Sequence, residues 1–150
     1  MTPGIHRKRV AWSYCLRWGP LAVWMVVISG LSTDAFSAAE TSQFIVPLLR
    51  WLLPYATPET LNSLHAIIRK AAHVTEFAVL SFLWYRALAW SKGKRRIAPA
   101  LWAVFLASAF GALDEAHQLL VPSRTASIVD VGWDSLGALF GVLVQHAMRW

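Results

Sequence analysis

Residues 99–121, PALWAVFLASAFGALDEAHQLLV, decide the fold. The stretch from Pro99 to Leu113 carries no charge, and the whole segment is long enough to cross a bilayer core of about 30 Å as a helix rising about 1.5 Å per residue. Its far end is different in kind: Asp114, Glu115, His117 and Gln118 fall within five residues. Ionisable groups cost roughly 2.5–3.5 kcal/mol each at the middle of a spanning helix and less toward the interface. The segment is therefore a membrane helix with a polar end. Pro99 suits its first turn, and Pro122 stops it.

The rest of the chain agrees. It has 150 residues, 57% of them hydrophobic and 15% charged, with a mean hydropathy of +0.47. Soluble domains average roughly 45–50% apolar and about 25% charged residues. A water-soluble domain of this size needs more polar surface than this chain has, and the chain is far too apolar to be disordered. Residues 1–150 form one all-α integral membrane domain, a four-helix bundle with spans at about 16–31, 67–90, 99–121 and 128–148. Ser127 with Asp130 forms a capping-box variant at the head of the last span.

Charge sets the orientation. Arg7, Lys8, Arg9 and Arg17 flank the first span, and Lys92, Lys94, Arg95 and Arg96 fill the loop after the second. Arg86 snorkels toward that loop, and Arg149 lies near the end of the chain. The positive-inside rule places these ten of the fourteen basic residues, and both termini, in the cytoplasm of a cell-membrane protein. Arg50, Arg69, Lys70 and Arg124 remain outside with all eight acids, so the net +6 divides into +10 inside and −4 outside. The pI of about 10.1 is thus a topology signal aided by anionic inner-leaflet lipid, and nucleic acid is excluded as a partner. Trp18, Trp90 and Trp150 belong to the inner aromatic belt and Trp133 to the outer half.

Between the first two spans, Ser42–Leu53 is expected as an interfacial or re-entrant helix, capped by Thr41 or Ser42, with Phe44, Leu48, Trp51 and Leu52 at near-helical spacing. Thr57-Pro58-Glu59 then starts a helix that runs into the second span. A basic start, an apolar core and the small residues Ser37-Ala38-Ala39 also fit a cleaved signal peptide. Trp18 and Trp24 in that core favour a retained helix. Cys15 is the only cysteine, so neither an intramolecular disulfide nor a cysteine-based zinc site can form.

Polar residues gather on the outer ends of three spans. Arg69, His73 and Glu76 share one face of the second, with Lys70 beside them. Asp114, Glu115, His117 and Gln118 end the third, and Asp130 and Asp134 stand one turn apart on the fourth. Gly137 and Gly141 continue that face as a GxxxG pair that permits close helix packing. The topology brings these faces to one depth as a single polar pocket, with Arg69, Lys70 and Arg124 as counter-charges to five carboxylates.

At these residues a resemblance arises. Arg69-Lys70-Ala71-Ala72-His73-Val74-Thr75-Glu76-Phe77 resembles the RKxAHxxEY block of the VanZ-like family. Asp114-Glu115-Ala116-His117-Gln118, Pro122-Ser123-Arg124, then Asp130, Asp134, Gly137 and Gly141 resemble its DExHQxFxPGR…DxxxDxxG block. The match covers roughly residues 20–148. Phe77 stands where the family has Tyr, and Ser123 where it has a Gly that would permit a turn with positive φ. The resemblance implies a small multi-span protein of the cell envelope, whose namesake is an accessory protein associated with resistance to the glycopeptide teicoplanin. It implies no reaction.

Several functions fit the cluster. The charges could simply lock helix ends together, as Arg69–Glu76 or Arg124–Asp130 pairs. A groove edged by Trp51 and Trp133 would hold a membrane lipid headgroup, a lipid-linked wall precursor or an amphiphilic glycopeptide, with guanidinium groups on phosphate. His73 or His117 as a general base would suit a membrane-embedded hydrolase or transferase. His73-x-x-Glu76 and Asp114-x-x-His117 give each helix one nitrogen and one oxygen ligand, a pattern too weak to assign a metal, and nothing calls for a cofactor. Ion conduction lacks a polar path, because apart from Arg86 the inner half of the spans is apolar.

Overall fold

Helix starts are written in short-range capping chemistry. A computed structural model describes residues 3–89, 97–120 and 127–148 and contains five α-helices. They are α1 (Pro3–Leu31), α2 (Ala38–Leu52), α3 (Pro58–Leu88), α4 (Ile97–Gln118) and α5 (Ile128–Met148), with a 3-10 turn at Asp34–Phe36. Among the described residues there is no strand. Thr57 accepts the Thr60 N–H at 3.3 Å, Pro58 occupies the first turn, and α3 then runs 31 residues without a break.

Two caps differ from expectation. The helix expected at Ser42–Leu53 begins four residues earlier, because Ser37 rather than Thr41 or Ser42 is its N-cap and accepts the Glu40 N–H at 3.3 Å. Thr41 is inside the helix, its hydroxyl donating back to the Ser37 carbonyl at 2.8 Å. At α5, the Ser127 side chain accepts the Val129 N–H at 3.2 Å. The Ser127 N–H, however, donates to Glu115 of α4 at 2.8 Å, so the reciprocal partner is a carboxylate from another helix and not Asp130. α4 ends at Gln118, three residues before the expected Val121. Trp90, the basic loop 92–96, Pro122, Ser123, Arg124, Arg149 and Trp150 lie outside the described residues.

α3 is the hub. It packs most extensively on α5 and also touches α1, α2 and α4. α1 runs antiparallel to it, tied by three side chains: the Trp24 indole N–H donates to the Glu76 carbonyl at 3.0 Å, Arg17 Nε to the Ala87 carbonyl at 2.6 Å, and Arg86 Nη2 to the Leu16 carbonyl at 2.9 Å. Ala87 lies in the last turn of α3, where carbonyls lack a helical partner, so Arg17 meets a backbone need as it joins two helices.

On α4 and α5 small residues face inward and large ones outward. Ala103, Ala107 and Gly111 of α4 and Gly137, Ala138 and Gly141 of α5 are buried, while Trp102, Phe105, Leu113, Leu136, Phe140 and Leu143 are more than half exposed. This inverts the economy of a water-soluble core and suits lipid as the surrounding solvent. Trp12–Leu31, Ile97–Gln118 and Ile128–Met148 are long and apolar enough to cross a membrane. α3, expected as a fourth span, does not reach that standard: Arg69, Lys70, Glu76 and Arg86 all lie within it.

The α3–α5 seam is the tightest. A Cβ on Gly137 would collide with the Val74 carbonyl, and one on Gly141 with the Ala78 carbonyl. Both obstacles are backbone and cannot swing aside. Gly141→Val is expected to cost at least the roughly 1–3 kcal/mol of ordinary overpacking and to lower the thermal midpoint in detergent. Gly132→Ala, inside α5 with open space around it, does not lower the midpoint and raises it slightly, since Ala favours a helix over Gly by about 0.5–1 kcal/mol. Equal midpoints for both variants would show that the seam is not close-packed.

Candidate functional site

The glycine contacts set α3 against α5 in a register that brings two polar pairs and one cation–ring contact together. Lys70 Nζ lies 3.5 Å from Asp130 Oδ1 and 5.7 Å from the centre of the Trp133 ring. One turn deeper, His73 Nδ1 lies 3.6 Å from Asp134 Oδ1. Asp134 is 1% exposed, and behind it is Gly111 of α4, whose added Cβ would come within 3.0 Å of Asp134 Oδ2. Gly111 therefore makes room for this buried carboxylate.

Asp114 and Gln118 serve a different junction. The Ser32 hydroxyl, just past the end of α1, donates to Asp114 Oδ2, and Gln118 Nε2 donates to both Ser32 Oγ and Asp114 Oδ2 at 3.0 Å. All three side chains are buried, so the triad satisfies its own polar atoms while fastening α1 to α4. Glu115 is engaged at the head of α5 through the Ser127 N–H.

On the other side of α3, Arg69 Nη1 donates to the Phe36 carbonyl at 2.9 Å and to Thr41 Oγ1 at 3.1 Å. Thr41 Oγ1 also lies 3.1 Å from His65 Nε2. Arg69 thus anchors α2 and the turn before it onto α3.

These groups border two adjoining cavities. The larger, about 420 Å³, is lined by Arg69, Lys70 and His73 from α3, Glu115 from α4, and Asp130 and Trp133 from α5. The smaller, about 160 Å³, includes Ser32, Thr41, Arg69, His73 and Glu76. Arg69 and His73 border both. Nine of the expected cluster are thereby brought to this end of the bundle: Arg69, Lys70, His73, Glu76, Asp114, Glu115, Gln118, Asp130 and Asp134. His117 is not among them. It is exposed and turned away from buried Asp114, so the Asp114-x-x-His117 spacing does not make one ligand pair. Arg124 lies outside the described residues, and Trp51 is 77% exposed on α2 and borders neither cavity. Among the described residues no three His, Cys, Asp or Glu side chains are grouped to hold a metal ion.

Sequence reasoning missed Ser32, Thr41, His65 and Gly111. His65 carried a usable signal, since it precedes Arg69 and His73 at four-residue intervals on one helical face. Ser32, Thr41 and Gly111 carried none, because their partners lie on other elements.

Large apolar side chains outside and ionisable ones gathered at one end define a helical membrane protein. The chain belongs to the VanZ/LLP1 family, whose model matches residues 18–149. No curated protein and no solved structure gives a significant match.

His65 precedes the expected second span, and burial, aided by the nearby Arg69 charge, holds its imidazole below the ordinary value. The unfolded chain therefore takes up this proton more readily than the folded one. Its contribution to stability is complete above about pH 6.5 and is lost as the pH falls through that value. The thermal midpoint is expected to fall between pH 7.5 and 5.5 by a smaller amount in His65→Gln than in the wild type. Identical pH profiles would remove His65 from this role.

Proposed function

We propose that this VanZ-family membrane protein binds a phospholipid headgroup in the larger cavity, with phosphate toward Arg69 and Lys70. The carrying observation is the mixed charge of its lining: the cations Arg69 and Lys70 of α3 share the cavity with Glu115 of α4 and Asp130 of α5. A headgroup with both a phosphate and an ammonium group matches that arrangement, and Trp133 offers an interfacial ring at the mouth. The Lys70–Asp130 pair is half exposed, and such pairs are worth at most about 1 kcal/mol, so a ligand can part them at little cost. A lipid-linked wall precursor or an acylated glycopeptide presents related polar and apolar parts, and glycopeptide tolerance would follow from competition at this site.

This reading makes residues 67–88 of α3 the second span of a four-helix bundle in the cell membrane, with Arg69, Lys70, His73 and Glu76 bordering the cavities. α2 then lies in the outer interface with Phe44, Leu48 and Trp51, all more than half exposed, in the headgroup layer. Both termini are cytoplasmic. In a Cys15→Ser background, Tyr55→Cys is expected to react with an impermeant maleimide on intact cells, and Gly93→Cys only after lysis. The opposite pattern would invert the topology.

A purely structural role is favoured for Asp114, which is committed to Ser32 and Gln118 and borders neither cavity. The two roles separate experimentally. Native mass spectrometry after incubation with phosphatidylethanolamine vesicles is expected to show Lys70→Ala retaining about tenfold less lipid, a loss of roughly 1.4 kcal/mol. Lys70→Arg keeps it, and Asp114→Asn lowers the thermal midpoint with little change in bound lipid. Equal retention by wild type and Lys70→Ala would overturn the headgroup proposal.

A further inference from the structure

Along the outward side of the α3–α5 seam lies a cleft of about 470 Å³ that is almost entirely apolar, bordered by Val79, Phe82 and Leu83 on α3 and by Phe140 and Val144 on α5. Its volume falls within the roughly 300–1,000 Å³ typical of small-molecule sites. Its origin is the backbone approach described above: at Gly141 the missing side chain lets the helices meet, and the bulk of Phe140 and Phe82 on either side leaves a trough between them.

On α3 the lining of the cleft begins at Val74, the residue after His73 of the headgroup cavity. Trp133 and Phe140 are seven residues apart on α5, two turns along nearly the same face, and Val74 and Thr75 at the head of the cleft follow Lys70 by about one turn of α3. The Lys70 ammonium, close to the Trp133 ring, thus stands about one turn of α3 before Val74, where the apolar lining begins. Polar groups do not interrupt it beyond Thr75, whose hydroxyl donates to the Ala71 carbonyl of its own helix at 2.7 Å.

We infer that this cleft is an acyl-chain site, so that the ligand is one phospholipid molecule with its phosphate at Lys70 and one chain between α3 and α5, entering sideways from the bilayer. The inference rests on the headgroup reading and adds the chain to it. Charge complementarity orients the lipid: Lys70 is the cation at the upper end, and the lower end offers only hydrocarbon contacts. An occupant lacking a chain leaves the cleft empty, whereas a second copy of this protein would not bring a phosphate to Lys70.

The test uses the full chain in detergent with phosphatidylethanolamine vesicles and native mass spectrometry. Val144→Trp fills the cleft and is expected to lower retained lipid about fivefold. Leu139→Trp adds the same bulk to an exposed position outside the cleft and leaves retention unchanged. Single-chain lysophosphatidylethanolamine competes, and chainless glycerophosphoethanolamine does not. Wild-type retention in Val144→Trp with loss in Lys70→Ala would sink the acyl-chain site while sparing the headgroup site; retention in both would sink the two together. A phosphatidylethanolamine carrying a diazirine in its chain provides a readout that needs no variant. Crosslinks at Phe82 and Phe140 support the site, and crosslinks spread evenly over the outward faces of α1 and α4 overturn it.

Discussion

The backbone contact of α3 with α5 at Gly137 and Gly141 is the constraint on which the remaining geometry depends. With Val74 seated on Gly137 and Ala78 on Gly141, the preceding turn of α3 lies along the first two turns of α5. Lys70 therefore finds Asp130, and His73 finds Asp134. A slip of one residue along either helix would rotate that position by about 100° and separate both pairs. No attraction between the charges is needed to set the register, because steric contact between helix backbones already does so. The ion pairs are consequences of the packing, and this leaves the more exposed of them available to a ligand.

Burial separates the acids by role. Asp134, enclosed by α3, α4 and α5, faces a histidine and has space only because Gly111 has no side chain. Asp114 has a serine and a glutamine as its donors and joins α1 to α4. Glu115 receives a backbone N–H from the residue that begins α5, which is a use of negative charge at a helix N-terminus supplied from outside that helix. Asp130 is paired and half open. The four carboxylates of α4 and α5, alike in the sequence, thus divide by the donors available to each.

The family assignment and the reversed packing pattern support each other on independent grounds. One compares residues 18–149 with a family, and the other follows from where large and small side chains stand in the fold. The family match says nothing about which cavity wall holds which charge. The arrangement of Arg69, Lys70, Glu115 and Asp130 around one space is a property of the folded chain, and the proposed ligand follows from it.

The sequence alone determined that the chain is helical, that it belongs with membranes, and which helix ends bear the polar residues, because apolar length and local capping act over distances of a turn or two. It also located Gly137 and Gly141 as packing positions from their spacing. The start of α2 at Ser37 and the reciprocal partner of Ser127 escaped it, since several side chains could cap locally and the choice rested on the wider fold. Tertiary structure decided that His117 faces outward while Gln118 beside it is buried: adjacent residues on a helix point about 100° apart, and only the position of α1 settles which of them meets Ser32. It also decided that Thr41 and His65 join Arg69 across two helices, and that an apolar cleft forms between α3 and α5. Those contacts join residues far apart in the chain, and local pattern has no means of expressing them.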